Sequence, residues 1–445
     1  MSDRPAPMNV CVFGLWHLGS VTAACMAEHF ATIGIDPDEA VVAGLREGRP
    51  PVMEAGLPEL VRAGVASGRL SFTSDLARAA AADLVWITFD TPVKENDEAD
   101  VEAVFRRIEA LFPHLRDGAV VLVSSQMPVG TIARLERAFA AVAAGRRVDF
   151  VYSPENLRLG KALDCFRHPD RIVVGARTEA ARARVGALLA PLGRPILWMR
   201  VESAEMTKHA INAFLATSVV FINEIAEACE STGADAKEVE RGLKSEPRIG
   251  PGAYLGPGAA FSGGTLARDV AFLLAIGPRL GFETPLFAGV KRSNDWHRRW
   301  ASRRLTALLG PLGGKTVAVL GLTYKANTNT LRRSESVALC RWLIEQGAIV
   351  RAHDPAIHER PAELPEALTL ASTVDEAVRG ADAIVVATEW PVFKELTAER
   401  IAAVEDGRRP LVLDANQFLA ANLAVDARVR YVAVGVGAAP GAASA

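Results

Sequence analysis

Gly14 and Gly19 bracket Leu15-Trp16-His17-Leu18 directly after the apolar run Met8–Phe13 (MNVCVF). Asp36 closes the next apolar run, about 20 residues on. Residues of these types at these intervals can hold a dinucleotide. The first glycine makes the turn, the helix N-terminus meets the pyrophosphate, the last glycine packs helix on strand, and the acid takes ribose hydroxyls. Trp16 occupies the second glycine position of G-x-G-x-x-G. Two readings stay open: an NAD site whose indole points away from the pyrophosphate or stacks on the cofactor, and a similar domain that no longer holds a dinucleotide. An acidic Asp36 with no arginine beside it favours NAD over NADP. Further on, Lys208 and Asn212 stand four apart in Ser203–Leu215 (SAEMTKHAINAFL), so a helix presents both on one face. Thr265 and Asp269 lie in a glycine-rich stretch, Pro257–Asp269 (PGAAFSGGTLARD). Taken singly, Lys208 reads as a solvated helix lysine and Asp269 as a helix N-cap.

The elements that must position these residues alternate in the first half. Met8–Phe13 reads as a buried strand, Ser20–His29 as a helix and Ala31–Ile35 as a second strand. Asp83–Thr88, Ala119–Ser125 and Arg171–Val174 are further apolar runs of strand length. This order predicts a parallel sheet with helices on both faces, a Rossmann-type α/β domain. Ser203–Thr232 keeps helical spacing without Pro or Gly until its end, and Val270–Ile276 and Phe287–Leu308 continue that character. From Gly314 the alternation restarts, with strands at Thr316–Leu320, Ile349–Ala352, Ala383–Ala387 and Leu411–Leu413 and a helix at Glu335–Gln346. The expected division is residues 1–198, a central helical part 199–298, and a smaller Rossmann-like unit 299–438. The two α/β parts read as a loose architectural duplication.

The chain has 445 residues, half of them hydrophobic and 23% charged, which is ordinary for a globular protein of two or three domains. A net charge of −2 gives no argument for nucleic acid or a membrane surface as partner. Cys11, Cys25, Cys165, Cys229 and Cys340 form no CxxC pair, which fits reduced thiols and a cytoplasmic protein. No signal peptide, membrane span or metal site is expected, and MSDRPAP and GAAPGAASA read as polar or frayed tails.

The glycine-rich loop and the helix carrying Lys208 and Asn212 resemble the core of the UDP-glucose/GDP-mannose dehydrogenase family. That family's loop has the form P-G-x-G-Y-G-G-S-C-x-P-K-D. Glu54-Ala55-Gly56-Leu57, Thr91-Pro92, Pro128-Val129-Gly130-Thr131, Ser153-Pro154-Glu155 and Arg248-Ile249-Gly250 resemble its E-P-G-L, G-T-P, P-V-G-T, S-P-E and R-I-G. Gly321–Lys325, His353-Asp354-Pro355 and Thr388-Glu389-Trp390 resemble its G-L-x-[FY]-K, Y-D-P and T-E-W. The resemblance covers nearly the whole chain. It implies NAD-dependent oxidation of a nucleotide sugar, a UDP- or GDP-hexose, or of a related polar alcohol, by a homodimer joined through the central helices. It also implies roles for individual residues. Lys208 and Asn212 meet the reacting hydroxyl and the developing oxyanion, Asp269 orients water and lysine, and Glu155 serves hydrolysis of an acyl intermediate. Gly14, Trp16, Leu18, Gly19, Asp36, Thr91, Pro92 and Gln126 line the cofactor. Arg248, Tyr254, Phe261, Gly264, Lys325 and Arg332 line the substrate.

The departures gather at the same chemistry. Thr265 stands where the family's nucleophilic cysteine would be, and a threonine hydroxyl needs far stronger base activation than a thiol. Gln126 replaces a threonine, Leu159 a second glutamate, Ser262 a glycine and Ala267 a proline. Asp414-Ala415-Asn416-Gln417 stands where D-G-R-N is usual, so a substrate-binding arginine is missing. Three functions are consistent with this pattern: four-electron oxidation through a hydrated aldehyde, a two-electron step, and a catalytically impaired nucleotide-sugar-binding or regulatory descendant. The retained Lys208, Asn212, Asp269 and Glu155 favour an enzyme that works without a thioester.

Overall fold

A computed structural model describes residues 8–92, 99–155, 157–158, 160–262, 265–404 and 407–436. The chain divides into two compact units, Met1–Ala210 and Ile211–Ala445. Both tails, Leu159 and Gly264 lie outside the described residues.

Among the described residues, the first unit is built on eight strands: β1 (Asn9–Phe13), β2 (Ala31–Ile35), β3 (Leu70–Thr73), β4 (Leu84–Ile87), β5 (Val120–Val123), β6 (Asp149–Tyr152), β7 (Ile172–Gly175) and β8 (Ile196–Met199). Their order is β3-β2-β1-β4-β5-β6-β7-β8. Strands such as β5 (VVLV) are β-branched and buried along their whole length, as a sheet covered on both faces requires. The expected parallel sheet holds with one correction: β6 and β7 meet antiparallel, through Tyr152 and Gly175. The covering helices are α1 (His17–Met26), α2 (Glu39–Arg46), α3 (Leu57–Ala66), α4 (Val101–Leu111), α5 (Thr131–Val142), α6 (Ala162–Arg167) and α7 (Glu179–Leu189). Side chains of Asp38, Asp100 and Thr178 cap α2, α4 and α7 by accepting first-turn N–H groups. One apolar core lies on each face of the sheet, the first around Leu15, Val21, Leu84 and Val151, the second around Phe13, Ile87, Phe105 and Phe150.

The long helix α8 (Val201–Thr232) runs from the first unit into the second. By length and composition alone α8 could cross a membrane, which the sequence reading did not anticipate. Half of its most apolar window is buried inside the protein, and Glu205, Lys208, His209, Asn212 and Asn223 on it are buried. After it come α9 (Ala236–Ser245), α10 (Leu266–Leu280), α11 (Pro285–His297), α12 (Trp300–Leu309) and α13 (Glu335–Glu345). The helix expected over Phe287–Leu308 is two: the chain breaks at Arg298-Arg299, and Arg303 folds back over the Trp296 ring at 4.1 Å.

The sheet of the second unit is wholly parallel. Its strands are β9 (Thr316–Leu320), β10 (Ile349–His353), β11 (Thr369–Leu370), β12 (Ala383–Val386), β13 (Leu411–Asp414) and β14 (Arg430–Val432), in the order β11-β10-β9-β12-β13-β14. That is the 3-2-1-4-5-6 order, which also opens the first sheet. The duplication seen in the sequence is therefore one of topology.

Candidate active site

The turn after β1 needs its first glycine. Gly14 has φ +99°, and a Cβ there would meet the Phe89 backbone nitrogen at 2.9 Å. At Gly19 a Cβ would fall 1.7 Å from the Gly14 carbonyl oxygen, so α1 lies against the strand turn only because that position is bare. Trp16 has φ −69°, an ordinary value for a residue with a side chain, and its indole is 47% exposed. It precedes α1 without a side-chain cap, leaving first-turn N–H groups for a phosphate. Leu18 is buried in α1. The Asp36 carboxylate accepts from the Leu15 N–H at 2.6 Å and the Asp38 N–H at 2.9 Å, which holds it at the end of β2 beside the loop. These residues fit a dinucleotide: an uncapped helix N-terminus, a tight turn, and an acid with further acceptor capacity.

Beyond β4, Thr91 donates to the Gln126 carbonyl at 2.5 Å, and both are buried, so the structure brings these two expected cofactor residues together beside Pro92. Glu54, also buried, accepts from the Gly160 and Ala162 N–H groups, each at 2.9 Å, and meets His17 Nε2 at 3.0 Å. It thereby ties the glycine loop to the segment following Glu155.

The first turns of α8 dock onto the same unit. Glu205 accepts from Gly130 N–H at 2.7 Å and Ile132 N–H at 2.9 Å, capping α5. Burial pushes its carboxyl above the usual range, and the two N–H bonds oppose that. His209 Nε2 meets the Met127 carbonyl oxygen at 3.0 Å. Lys208, 5% exposed, donates from Nζ to the Glu155 carbonyl oxygen at 2.6 Å and lies 3.8 Å from Glu155 Oε1. The reading of Lys208 as a solvated lysine is thereby overturned.

In the second unit Asn212 Nδ2 donates to the fully buried Asp269. Asp269 is inside the first turn of α10, and the N-cap position belongs to Thr265, which is exposed and makes no capping bond. The N-cap reading of Asp269 therefore fails, because the helix starts at Leu266, three residues before it.

The described residues leading to Thr265, 251–262, make no sheet or helix, and side chains bond their backbone. Asn223 on α8 accepts from Gly258 N–H at 3.0 Å and donates to the Ala259 carbonyl at 3.4 Å. His297 on α11 meets the Gly258 carbonyl at 2.8 Å, and Asn294 takes both backbone groups of Phe261, at 3.1 and 2.9 Å. Asn416, after β13, accepts from Ala259 N–H at 2.7 Å.

Glu205, His209, Asn223, Asn294 and His297 are not among the residues singled out by sequence. The signal was present: Glu205, Lys208/His209 and Asn212 recur at helical spacing on a largely apolar helix, and Asn294 and His297 are three apart. Among the expected substrate residues, Phe261 is in the held loop, and Tyr254 is 57% exposed. Arg248 is exposed and bonds its near neighbour Glu246 at 2.7 Å. Lys325 and Arg332 are exposed on the loops after β9.

The chain matches the UDP-glucose/GDP-mannose dehydrogenase family in three parts. These are its NAD binding domain over residues 8–193, its central domain over 202–296 and its UDP binding domain over 318–421. It is 36% identical over 429 residues to a UDP-glucose 6-dehydrogenase of Pseudomonas aeruginosa, covering 93% of this chain and 94% of that one. It is 34% identical to a UDP-glucose 6-dehydrogenase of Rhizobium meliloti, covering 96% of this chain and 99% of the relative. A UDP-glucose dehydrogenase structure from Pyrobaculum islandicum superposes with a TM-score of 0.88 at 30% identity, over 98% of this chain and all of that one. The glycine loop, Asp36 and the uncapped α1 fit the NAD that the first matched domain binds, and the chain belongs to the UDP-glucose/GDP-mannose dehydrogenase family.

Proposed function

We propose that this protein oxidises a nucleotide sugar, a UDP- or GDP-hexose, with NAD and without a cysteine-bound intermediate. UDP-glucose is the first candidate, because the relatives named above act on it. The observation that carries the proposal is Lys208. A buried amine, held by the Glu155 carbonyl and flanked by its carboxylate, is costly to keep unless its charge is used. One helical turn on, Asn212 is held by Asp269.

When bound, NAD accepts a hydride from the carbinol carbon. Lys208 and Asn212 stabilise the oxygen as its proton leaves, and Asp269 fixes the carboxamide so that its donor direction is set beforehand. Glu155 holds Lys208 and, with a water, can serve a second oxidation through the aldehyde hydrate. Thr265 takes the place of the nucleophile but forms no acyl bond. The cofactor residues are Gly14, Trp16, Leu18, Gly19, Asp36, Thr91, Pro92 and Gln126. The substrate residues are Arg248, Tyr254, Phe261, Gly264, Lys325 and Arg332. The domains are 1–198 for NAD, 199–298 as centre and 299–438 for the nucleotide. Phe214 and Phe221 on α8 and Leu286 on α11 are 71%, 46% and 61% exposed, and this apolar surface supports a homodimer through the central helices. A cytoplasmic location is part of the same proposal.

The binding-only reading is not favoured, since it gives Lys208, Asn212 and Asp269 no task. The test is reduced-cofactor absorbance from purified protein with NAD and UDP-glucose, then GDP-mannose. Saturable turnover with one of them is expected. No turnover with either, despite a saturable NAD thermal shift, would count against this substrate class.

A further inference from the structure

We propose that His17 is a positioning residue for Glu155, acting through Glu54, so that the helix facing the cofactor and the stretch after Glu155 share one buried carboxylate. The inference deepens the dehydrogenase reading, in which Glu155 serves the reaction, and rests on it.

Glu54 lies between α2 and α3 and is 4% exposed. A carboxylate so buried is costly unless donors surround it. Ala162 N–H, at the first residue of α6, donates to Oε1, and Gly160 N–H donates to Oε2, each at 2.9 Å. Lys161 at the N-cap of α6 makes no side-chain cap bond, so Glu54, more than a hundred positions earlier, supplies the cap. Both Glu54 oxygens therefore accept backbone N–H groups. The His17 imidazole, with Nε2 3.0 Å from Oε2, is the third donor. His17 is the first residue of α1, the helix whose uncapped N-terminus faces the dinucleotide.

The other end of this helix pair has its own tie. Arg167, the last residue of α6, sets Nε and Nη2 on the two Glu28 oxygens at 3.0 and 2.8 Å, two residues past the end of α1. Phe166 packs against Trp86 with ring centroids 6.0 Å apart. Losing His17 thus loosens the end of α6 nearer Glu155 and leaves the far end held. Toward Glu155, Lys208 Nζ donates to the Glu155 carbonyl, and Leu157 N–H donates to Glu155 Oε2 at 2.8 Å. The Glu155 carboxylate therefore takes its direction from the backbone of the stretch that Glu54 anchors at Gly160 and Ala162.

The test compares His17→Leu, His17→Gln and Glu54→Gln on the whole chain, by initial rates with NAD and UDP-glucose and by amide hydrogen exchange. Leucine fills space and donates nothing, while glutamine sets an amide donor at about the reach of Nε2. In His17→Leu the Gly160 and Ala162 amides should exchange roughly tenfold faster. Its kcat should fall roughly tenfold, with KM for NAD within about threefold, because the backbone of α1 still meets the phosphates. His17→Gln should return both readouts to within about threefold of the unaltered protein. In the Glu54→Gln background, itself slowed, His17→Leu should cost less than about threefold more, since the group it acts through is already altered. The proposal is overturned by unchanged exchange and kcat in His17→Leu, by a glutamine no better than leucine, or by losses that multiply with Glu54→Gln. It is also overturned by a KM for NAD raised more than about tenfold with kcat kept, which would assign His17 to the cofactor itself. No turnover by the unaltered protein, with the exchange effect and its glutamine rescue intact, would count against the dehydrogenase reading and for the His17–Glu54 contact.

Discussion

Replacing Lys208 by methionine separates a catalytic lysine from a structural one. The two side chains have similar length, so the substitution removes the charge and donor without opening a large cavity. The magnitude follows from the site. A unit negative charge at 3.8 Å, the distance from Lys208 Nζ to Glu155 Oε1, is attracted by about 4 kcal/mol at an effective dielectric near 20. An oxyanion developing on the substrate at similar range gains the same order. Lys208→Met should therefore raise the barrier by about 3 to 4 kcal/mol, roughly 10²- to 10³-fold in kcat. The structural cost is smaller and of another kind: the Glu155 carbonyl loses its donor, worth about 1 to 3 kcal/mol. That lowers the melting temperature of a unit this size by about 2–4 °C per kcal/mol. The assay is initial-rate reduction of NAD at saturating UDP-glucose, beside a thermal melt with and without NAD. A folded variant that still binds NAD and keeps kcat within about threefold of the unaltered protein would refute the reasoning.

Without a catalytic thiol, turnover should resist iodoacetamide, because Cys11, Cys25, Cys229 and Cys340 are buried and only Cys165 has partial exposure. Thr265→Cys should make turnover sensitive to the reagent; rapid loss of activity in the unaltered protein would contradict a cysteine-free route. Trp16→Gly should change the NAD dissociation constant by less than about tenfold, because the indole is half exposed and the backbone at Trp16 needs no glycine. A tightening of more than about 10²-fold in an NAD thermal-shift titration would show that the indole occludes the site. Burial holds the His297 imidazole below its ordinary pKa, with the Gly258 bond opposing. The unfolded chain then takes the proton first, so stability is full above about pH 6.5 and falls as pH drops through and below that value. His297→Gln should flatten this acid limb in melts followed between about pH 5 and 7, and an unchanged limb would exclude His297 as its source.

The strands most legible in the sequence are the fully apolar ones. Thr316–Leu320 and Ala31–Ile35 occupy the limits expected of them, because continuous β-branched runs bounded by glycine or acid leave little choice. Short or part-exposed strands such as Leu70–Thr73 and Ile196–Met199 escape such a reading, since four residues of mixed exposure carry no period. At the site, Lys208, Asn212 and Asp269 come from spacing and resemblance. Helical spacing marks Glu205, but the partners of Glu205 and Asn223, in α5 and at Gly258, lie 35 or more positions away and no local period names them. The burial of Lys208 is equally hidden, because a lysine on a helix has the same sequence signature whether its face is wet or covered.

The duplicated topology sharpens the assignment of the dinucleotide site. Gly14 and Gly321 are equivalent: both follow the first strand of their sheet, with φ +99° and +92°, and each N–H bonds the carbonyl at the end of the neighbouring strand. Asp36 and Asp354 come directly after those neighbouring strands. Their carboxylates are occupied very differently. Among the described residues, Asp36 accepts from the N–H groups of Leu15 and Asp38. Asp354 accepts from the N–H groups of Leu322, Thr323 and Ala356, the Thr323 hydroxyl and the Trp390 indole. A carboxylate offers about four lone-pair sites. Four of these donors fall on Asp354 Oδ2 and one on Oδ1, while Asp36 takes one on each oxygen and keeps more capacity for ribose hydroxyls. The exposed cations Lys325 and Arg332, proposed above as substrate residues, lie on the adjoining loops. Trp390 contributes to the difference: its indole donates to Asp354 Oδ2 at 3.1 Å, a donor with no counterpart among the bonds of Asp36 within the described residues.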